Sequence, residues 1–220
     1  MAKREKRGDK GRISRDNIMK AARRLFSEHP YNAASLRMIG KEGGFEHPLI
    51  HYYFPTKAAL FEAVLADIGM EIYKANLSWF EGLVGLPPLE ALEIHIDRIL
   101  KFNRKSPEPF RILFLNMAEI QQAEEMPGFA LIPGIIAGVK ANLEERFTLS
   151  ATDEEVGMLT YGFSVALITY LGASYCHGMV LGMDPESEEY WKWVKKNLIF
   201  LFGPVLEKMN LGPAATSPPK

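Results

Sequence analysis

Two glycines within residues 35–57 restrict what this chain can fold into more than any other feature. Gly40 stands where two short helices would cross, and only a small side chain lets them approach closely. Gly44 lies in the turn between them, where a positive φ costs least without a Cβ. The apolar residues spaced to face inward are Ile39, Phe45, Ile50 and Tyr53. The segment predicts a helix-turn-helix whose second helix is shaped for the DNA major groove.

The charge distribution supports a nucleic-acid partner for this segment. Residues 1–61 contain 13 Lys and Arg against 6 Asp and Glu, whereas the remaining residues contain 13 against 21. A basic amino-terminal part, here called the head, is followed by an acidic remainder, the body. This division indicates that the head, and not the body, binds a polyanion. Two other interpretations stay open: a basic tail that only solubilises the chain, and an ordinary helical hairpin buried in a core.

The rest of the chain has helical apolar spacing and no hairpin or alternating strand signal, which predicts an all-α fold of about nine helices. Ser14 and Thr56 are candidate N-caps, Thr152 and Glu155 form a capping-box pattern, and Asp184-Pro185 is expected to open the last helix. The predicted organisation is a basic flexible arm (1–13), a three-helix DNA-binding domain (14–56), an effector-binding and dimerisation domain (57–210) and a loose tail (211–220).

Several function classes are disfavoured by what the sequence lacks. The single cysteine, Cys176, cannot form an internal disulfide, and no secretory leader pattern opens the chain, so a cytoplasmic location is expected. Cys176 and His177 are adjacent and point to different helix faces, so no metal site is predicted. Nucleophile elbow, phosphate-loop, dinucleotide and zinc-protease motifs are missing, so we expect neither catalytic residues nor a cofactor.

The stretch Ile18 to Leu65 resembles the amino-terminal domain of TetR-family (tetracycline-repressor-like) transcriptional regulators. The marks of this resemblance are Ala21-Ala22 with Leu25-Phe26, then Ile39-Gly40 with Gly44-Phe45, and finally Tyr53-Phe54-Pro55-Thr56-Lys57 followed by Leu60. The resemblance implies a homodimeric, ligand-responsive regulator of transcription, most commonly a repressor of a palindromic operator. It leaves the effector, the operator and the regulated genes undetermined.

The resemblance also implies roles for individual residues of the head. The residues that it assigns to DNA contact are Ser35, Arg37, His47, Pro48, Tyr52, Tyr53 and Lys57. Arg37 and His47 would reach base edges, and Lys57 would contact a phosphate at a helix N-terminus. Glu46 fits an N-cap of the recognition helix, with a contact to cytosine as the alternative. Leu36 and Leu49 replace hydroxyl residues that often bind phosphate in the family, which places more weight on Tyr52, Lys57 and the basic arm. His51 replaces a tyrosine of the family pattern, so the resemblance does not define the exact DNA footprint.

An uncharged run of 28 residues, Val156 to Met183, is the main feature of the body. It is long enough to span a bilayer, but it contains several polar residues. Its small residues form a stripe along one helix face, which lets another helix pack closely against it. A dimer seam or core is therefore preferred to a membrane span. The expected dimer contacts are Gly162, Ala166, Thr169 and Ala173 on this run, and Val194, Leu198, Leu201 and Val205 on the last helix.

The effector pocket is expected among the helices from about Thr56 to Phe147, as the resemblance implies. The polar residues on otherwise apolar faces that could orient a ligand are His95, Asn103, Asn116, Gln121 and Tyr161. Two other functions remain open. One is a helical protein whose head is an interaction module or whose apolar run holds it at a membrane, and the other is an architectural DNA-binding protein without an effector. A fully packed body without an internal cavity would favour the architectural DNA-binding protein.

Overall fold

The fold is all-α, as predicted, with ten helices in the part of the chain that the structure describes. A computed structural model describes residues 2–117, 119, 126–128, 130–210 and 212–213, and of residues 2–14 and 213 it describes the backbone only. The helices are α1 (Ala2–Glu28), α2 (Leu36–Gly43), α3 (His47–Tyr53), α4 (Lys57–Trp79), α5 (Pro88–Lys105), α6 (Glu108–Met117), α7 (Leu131–Arg146), α8 (Asp153–Gly172), α9 (Ser174–Leu181) and α10 (Glu188–Lys208). Two dipeptides, β1 (Phe147–Thr148) and β2 (Gly212–Pro213), pair antiparallel.

Helices α1 to α3 form a small head around a fully buried apolar centre. Ile18 and Phe26 of α1 pack there with Ile39 of α2 and Ile50 of α3, and all four side chains are inaccessible to solvent. Phe26 meets Phe61 of α4 edge to face, with ring centroids 4.8 Å apart. Since α4 contributes to this core and then continues into the body, it links the two parts mechanically.

Helices α4 to α10 form the body. Helix α10 packs against α5 and α8, α6 packs against α8 and α1, and α7 packs against α4 and α8. The predicted capping box opens α8: Thr152 Oγ1 accepts from the Glu155 amide at 3.2 Å, and Glu155 accepts from the Thr152 amide at 2.8 Å. The contact between α6 and α1 places α6 beside the head.

Several helix boundaries differ from those that the sequence predicted. Helix α1 begins at Ala2, so the backbone of 2–13 is helical where a flexible arm was expected; Lys, Arg and Glu are good helix formers. Helix α10 begins after Asp184-Pro185, because the Ser187 hydroxyl accepts from the Tyr190 amide at 3.1 Å and caps it there. Of the predicted loose tail, residues 211 and 214–220 lie outside the described residues.

The uncharged run does not form one continuous helix. It is divided between α8 and α9, which meet at Ala173 with a bend of 78°. No single described helix is both long and apolar enough to cross a membrane. Taken together, the bent pair α8 and α9 has the length and the composition of a membrane span. Gly172 lies at this bend and touches α6: a Cβ there would be 2.7 Å from the Phe110 carbonyl oxygen.

We predict that Gly172→Ala lowers the free energy of unfolding by about 1–3 kcal/mol, because the added methyl overpacks the contact between α8 and α6. Its Cβ would also lie 2.4 Å from the Phe114 Cβ. Urea unfolding at one protein concentration measures this. Gly157→Ala is the matched control on the same helix: its Cβ meets nothing within 4 Å, so the change should stabilise by about 0.5–1 kcal/mol. Equal stability of the two variants would contradict the prediction.

Candidate nucleic-acid interface and ligand cavity

The turn between α2 and α3 has the close approach that the two glycines predict. A Cβ on Gly40 would lie 2.8 Å from the Phe45 carbonyl oxygen, a contact too short for any residue but glycine. Gly44 has φ 68°, and the Phe45 amide donates to the Gly40 carbonyl at 2.8 Å. This turn fixes α3 across α2 with Ile50 inward, and the opposite face of α3 is left at the surface.

The outward face of α3 carries the side chains predicted to meet DNA. His47 and Pro48 at its start are exposed, and Tyr52 is 79% exposed. Arg37 of α2 is also exposed. The rings of His47 and His51 lie edge to face with centroids 4.3 Å apart, and His51 Nδ1 is 3.0 Å from the Pro55 carbonyl oxygen. Side chains at the first turn of such a helix are those that reach base edges in the major groove.

The remaining predicted contacts have partly structural roles. The Ser35 hydroxyl accepts from the Met38 amide at 3.2 Å and therefore caps α2. Tyr53 is half-buried and packs against the core, with its ring 4.9 Å from that of Tyr52. Glu46 occupies the N-cap position of α3, but its side chain makes no capping hydrogen bond. Its exposed carboxylate is thus at the surface beside His47.

Lys57 is not placed as the sequence suggested. Its Nζ donates to the carbonyl oxygens of Tyr31 at 2.8 Å and Ala34 at 3.0 Å, and it lies 4.1 Å from the Tyr31 ring centroid. Partial burial lowers the pKa of this ammonium. Because two of its three donor hydrogens are used within the protein, Lys57 ties the turn after α1 to the start of α4. Its ammonium is thus held against the turn after α1 and does not extend freely into solvent.

The body contains an apolar cavity of about 70 Å³ with one histidine in its wall. His95 is buried, its ring stacks on Phe80 with centroids 4.4 Å apart, and Nδ1 is 3.4 Å from the Trp79 carbonyl oxygen. Burial lowers the pKa of His95 to about 4, against a smaller opposing effect of the Trp79 carbonyl. A second cavity of about 40 Å³ shares His95, Val139 and Phe163 as walls. At neutral pH the polar group between them is an uncharged imidazole.

Comparison with known proteins agrees with this geometry. The model of TetR-family bacterial regulatory proteins matches residues 18–64, which are the head and the start of α4. The head of this chain is therefore similar to the amino-terminal domain of TetR-family regulators. The HTH-type transcriptional regulator RutR of Escherichia coli strain K12 is 29% identical over 161 residues, which are 73% of this chain and 71% of that protein. The HTH-type transcriptional repressor AcnR of Corynebacterium glutamicum is 37% identical over 60 residues, 27% of this chain and 32% of that protein.

Solved structures share the TetR fold along most of the chain. A TetR-family transcriptional regulator from Agrobacterium tumefaciens has a TM-score of 0.62 at 20% identity, and the match covers 90% of this chain and 98% of that one. Salmonella enterica GusR has a TM-score of 0.55 at 20% identity, covering 87% and 96%. At these identities the matches show a shared fold. RutR and AcnR are named as transcription regulators, in agreement with the prediction that this chain is not an enzyme.

The residues predicted for the dimer contact divide between two faces. Val194 and Leu198 of α10 are fully buried within the protomer, so their assignment to a dimer surface was wrong: they face α5 and α8. Leu201 and Val205 are exposed, as a contact surface requires. On α8, the small residues Gly162, Ala166 and Thr169 are half-buried, and Ala173 lies in the bend before α9. A Cβ on Gly162 would touch Phe202, so part of this stripe serves packing inside the protomer.

The predicted effector contacts do not gather at one site. His95 lines both apolar cavities, whereas Asn103 lines a separate cavity near the surface. Asn116 is fully buried and occupied: its Oδ1 accepts from the Tyr31 amide and its Nδ2 donates to the Ile112 carbonyl, both at 2.8 Å. Tyr161 is 56% exposed on the outer face of α8, so it lines none of these cavities. Gln121 lies outside the described residues.

The junction between head and body was missed by sequence reasoning. Arg23 of α1 donates to the Ser106 hydroxyl at 2.7 Å and pairs with Asp67 at 3.2 Å and Glu108 at 3.8 Å, and it also contacts Glu71. Its partners are 44 to 85 positions away along the chain, so no local pattern could have indicated them. An arginine held by three carboxylates fixes α1 against α4 and the start of α6.

We predict that His95 makes stability fall as the solution becomes acidic. Its folded pKa of about 4 lies below the usual 6.5, so the unfolded chain takes up a proton first, and stability is lost as pH falls from 6.5 towards 4. For a fully buried group the loss would reach roughly 3 kcal/mol. Urea unfolding of wild type and His95→Phe across this range measures it. Parallel pH curves for the two proteins would contradict the prediction.

Proposed function

We propose that this chain is a homodimeric, cytoplasmic transcriptional regulator that represses from a palindromic operator until a small, largely apolar effector releases it. The observation that carries the proposal is the outward face of α3, where His47, Pro48 and Tyr52 are exposed above a tightly packed turn. An exposed apolar or aromatic side chain on a rigid short helix has little structural purpose, but it is suited to contact with a duplex. The similarity of residues 18–64 to TetR-family regulators supports the same function.

The head offers two kinds of DNA contact. Arg37 and His47 present donors that can pair with the acceptors on guanine, and Pro48 can pack against a thymine methyl group. The Tyr52 hydroxyl suits a phosphate, which fixes register but carries no sequence information. The excess of basic residues in 1–61 supplies the nonspecific attraction, which depends on salt concentration.

Dimerisation is supported by an exposed apolar surface on α8 and α10. Met158 and Tyr161 of α8 are exposed, as are Phe200, Leu201 and Val205 of α10. Apolar surface of this extent usually marks a contact with another macromolecule. A two-fold contact through these helices would present two recognition helices to half-sites about one duplex turn apart, which is why a palindromic operator is expected.

Effector control is supported by the cavity beside His95. Its volume of about 70 Å³ is well below the roughly 300 Å³ at which ligand pockets usually begin, so a larger ligand must push the surrounding helices apart. The cavity wall includes Phe80 at the end of α4, whose other end carries the head. A displacement of α4 would change the separation of the two recognition helices. A coupling of about 1–3 kcal/mol would reduce operator affinity by about 5–150-fold.

Selection of bound fragments from a random duplex pool, with and without cell extract, tests this function. We predict that wild type enriches a two-fold symmetric sequence and that His47→Ala relaxes preference at one position of each half-site, by about 1–3 kcal/mol. Lys41→Ala, which removes an exposed cation from α2, is the control and should keep the wild-type sequence preference. Failure of wild type to enrich any sequence would refute the proposed function, and an unchanged preference in His47→Ala would refute its assigned role.

We predict that Phe200→Glu shifts the protein from dimer towards monomer in analytical ultracentrifugation, because a carboxylate would be buried without a partner at the proposed contact. Phe200 is 77% exposed in the protomer, so the change should not disturb protomer folding. Val84→Glu is a matched control, since Val84 is an exposed apolar residue between α4 and α5 and outside the proposed contact. Identical sedimentation of the two variants would contradict the α8–α10 contact.

A further inference from the structure

The cavity that Asn103 lines has a volume of about 320 Å³ and lies near the surface between the end of α5, α6, the α8–α9 bend and the start of α10. It has no lining residue in common with the two apolar cavities around His95. Its volume falls within the range usual for small-molecule sites, about 300–1,000 Å³. The walls combine apolar surface from Leu171 and Trp191 with several polar and charged groups, and such a mixture fixes the orientation of a ligand.

An unpaired acceptor inside this cavity points to a ligand. Asn103 is only 3% exposed, and its Oδ1 has no hydrogen-bond partner in the described structure. A buried polar atom without a partner destabilises a protein, and the great majority of such atoms are paired. Asn103 lines the cavity, and rotation of its amide group would turn Oδ1 towards a donor on a bound molecule, which then supplies the missing hydrogen bond.

The charged groups of the cavity restrict the ligand further. Arg111 lies 5.3 Å from the centroid of the Tyr175 ring and makes no ion pair with a described carboxylate. Arg104 is already paired with Glu188 at 2.8 Å, and Glu186 accepts from the Tyr175 hydroxyl at 3.0 Å. Two cations thus face two carboxylates. A dianion would be repelled by the carboxylates, whereas a molecule with one positive and one negative group would match both signs.

We propose that this cavity binds a free α-amino acid with an apolar side chain. The carboxylate pairs with Arg111, the ammonium donates to Asn103 Oδ1, and the side chain packs against Trp191 and Leu171. Arginine with a carboxylate is among the strongest hydrogen-bonded pairs in proteins. The site is separate from the proposed effector cavity, and its occupancy does not depend on whether the chain binds DNA.

The position of the cavity gives it access to the head. Pro107 is part of its wall, and the neighbouring residues Ser106 and Glu108 both contact Arg23 of α1. A ligand that packs against Pro107 would therefore act on the α5–α6 turn, to which Arg23 fastens the head.

Thermal shift of the full-length protein with each of the twenty standard amino acids at about 10 mM, without DNA, tests the proposal. We expect stabilisation by apolar amino acids, including L-phenylalanine, and saturable binding of L-phenylalanine in calorimetric titration. Phenethylamine lacks the carboxylate and 3-phenylpropanoate lacks the amine, so each should bind at least about tenfold more weakly. If no amino acid stabilises the protein, or if the three phenyl compounds bind equally, the proposal is wrong.

Two variants test whether L-phenylalanine binds in this cavity. Arg111→Met and Asn103→Leu should each weaken L-phenylalanine binding at least about tenfold, because each removes one polar contact of the ligand. Arg146→Met is the control: Arg146 is a similarly half-buried arginine of α7 outside the cavity, and its loss should leave the affinity unchanged. Arg111 is partly exposed, so its variant remains informative if Asn103→Leu does not fold. Wild-type affinity in Arg111→Met would overturn the proposal.

Discussion

The attachment of the head to the body is the contact on which the rest of this structure depends. The Tyr31 amide, which follows α1, donates to the buried Asn116 amide oxygen, and Arg23 is held by carboxylates of α4 and α6. Breaking one partner of a buried polar contact costs more than the contact contributes, because the other group stays buried and unsatisfied. The head is therefore held in a defined orientation, and a change at α4 or α6 must either move it or break these bonds.

The parts of the fold that the sequence predicted well are those decided by local chemistry. Gly40 and Gly44 specify a turn within a few residues, and the structure has that close approach and that positive φ. Thr152 and Glu155 specify a helix start through reciprocal hydrogen bonds between neighbours. In each case the partner groups lie within five residues, so no knowledge of the tertiary structure is needed.

The parts that sequence reasoning missed depend on which face of a helix meets which neighbour. Helix α10 is apolar on two sides, and periodicity could not tell that Val194 and Leu198 face the protomer interior while Phe200 faces outward. The side chains of Lys57 and Asn116 can form hydrogen bonds with a ligand or with the backbone equally well. Lys57 donates to carbonyls 26 and 23 residues away, and Asn116 Oδ1 accepts from the Tyr31 amide 85 residues away, so only the folded structure shows that both are already engaged.

Two of the cavities described in the body, the apolar one of about 70 Å³ and the one lined by Asn103, adjoin different contacts with the head. The apolar cavity beside His95 adjoins the end of α4, so a ligand there acts on the helix that carries the head. The polar cavity adjoins Pro107, so a ligand there acts on the α5–α6 turn and, through Ser106 and Glu108, on Arg23. Arg23 also pairs with Asp67 of α4, and the two paths therefore meet at a single guanidinium. If each of two ligands shifts the equilibrium between arrangements of this junction, their binding is thermodynamically coupled even though they do not touch. Each ligand then changes the affinity of the protein for the other.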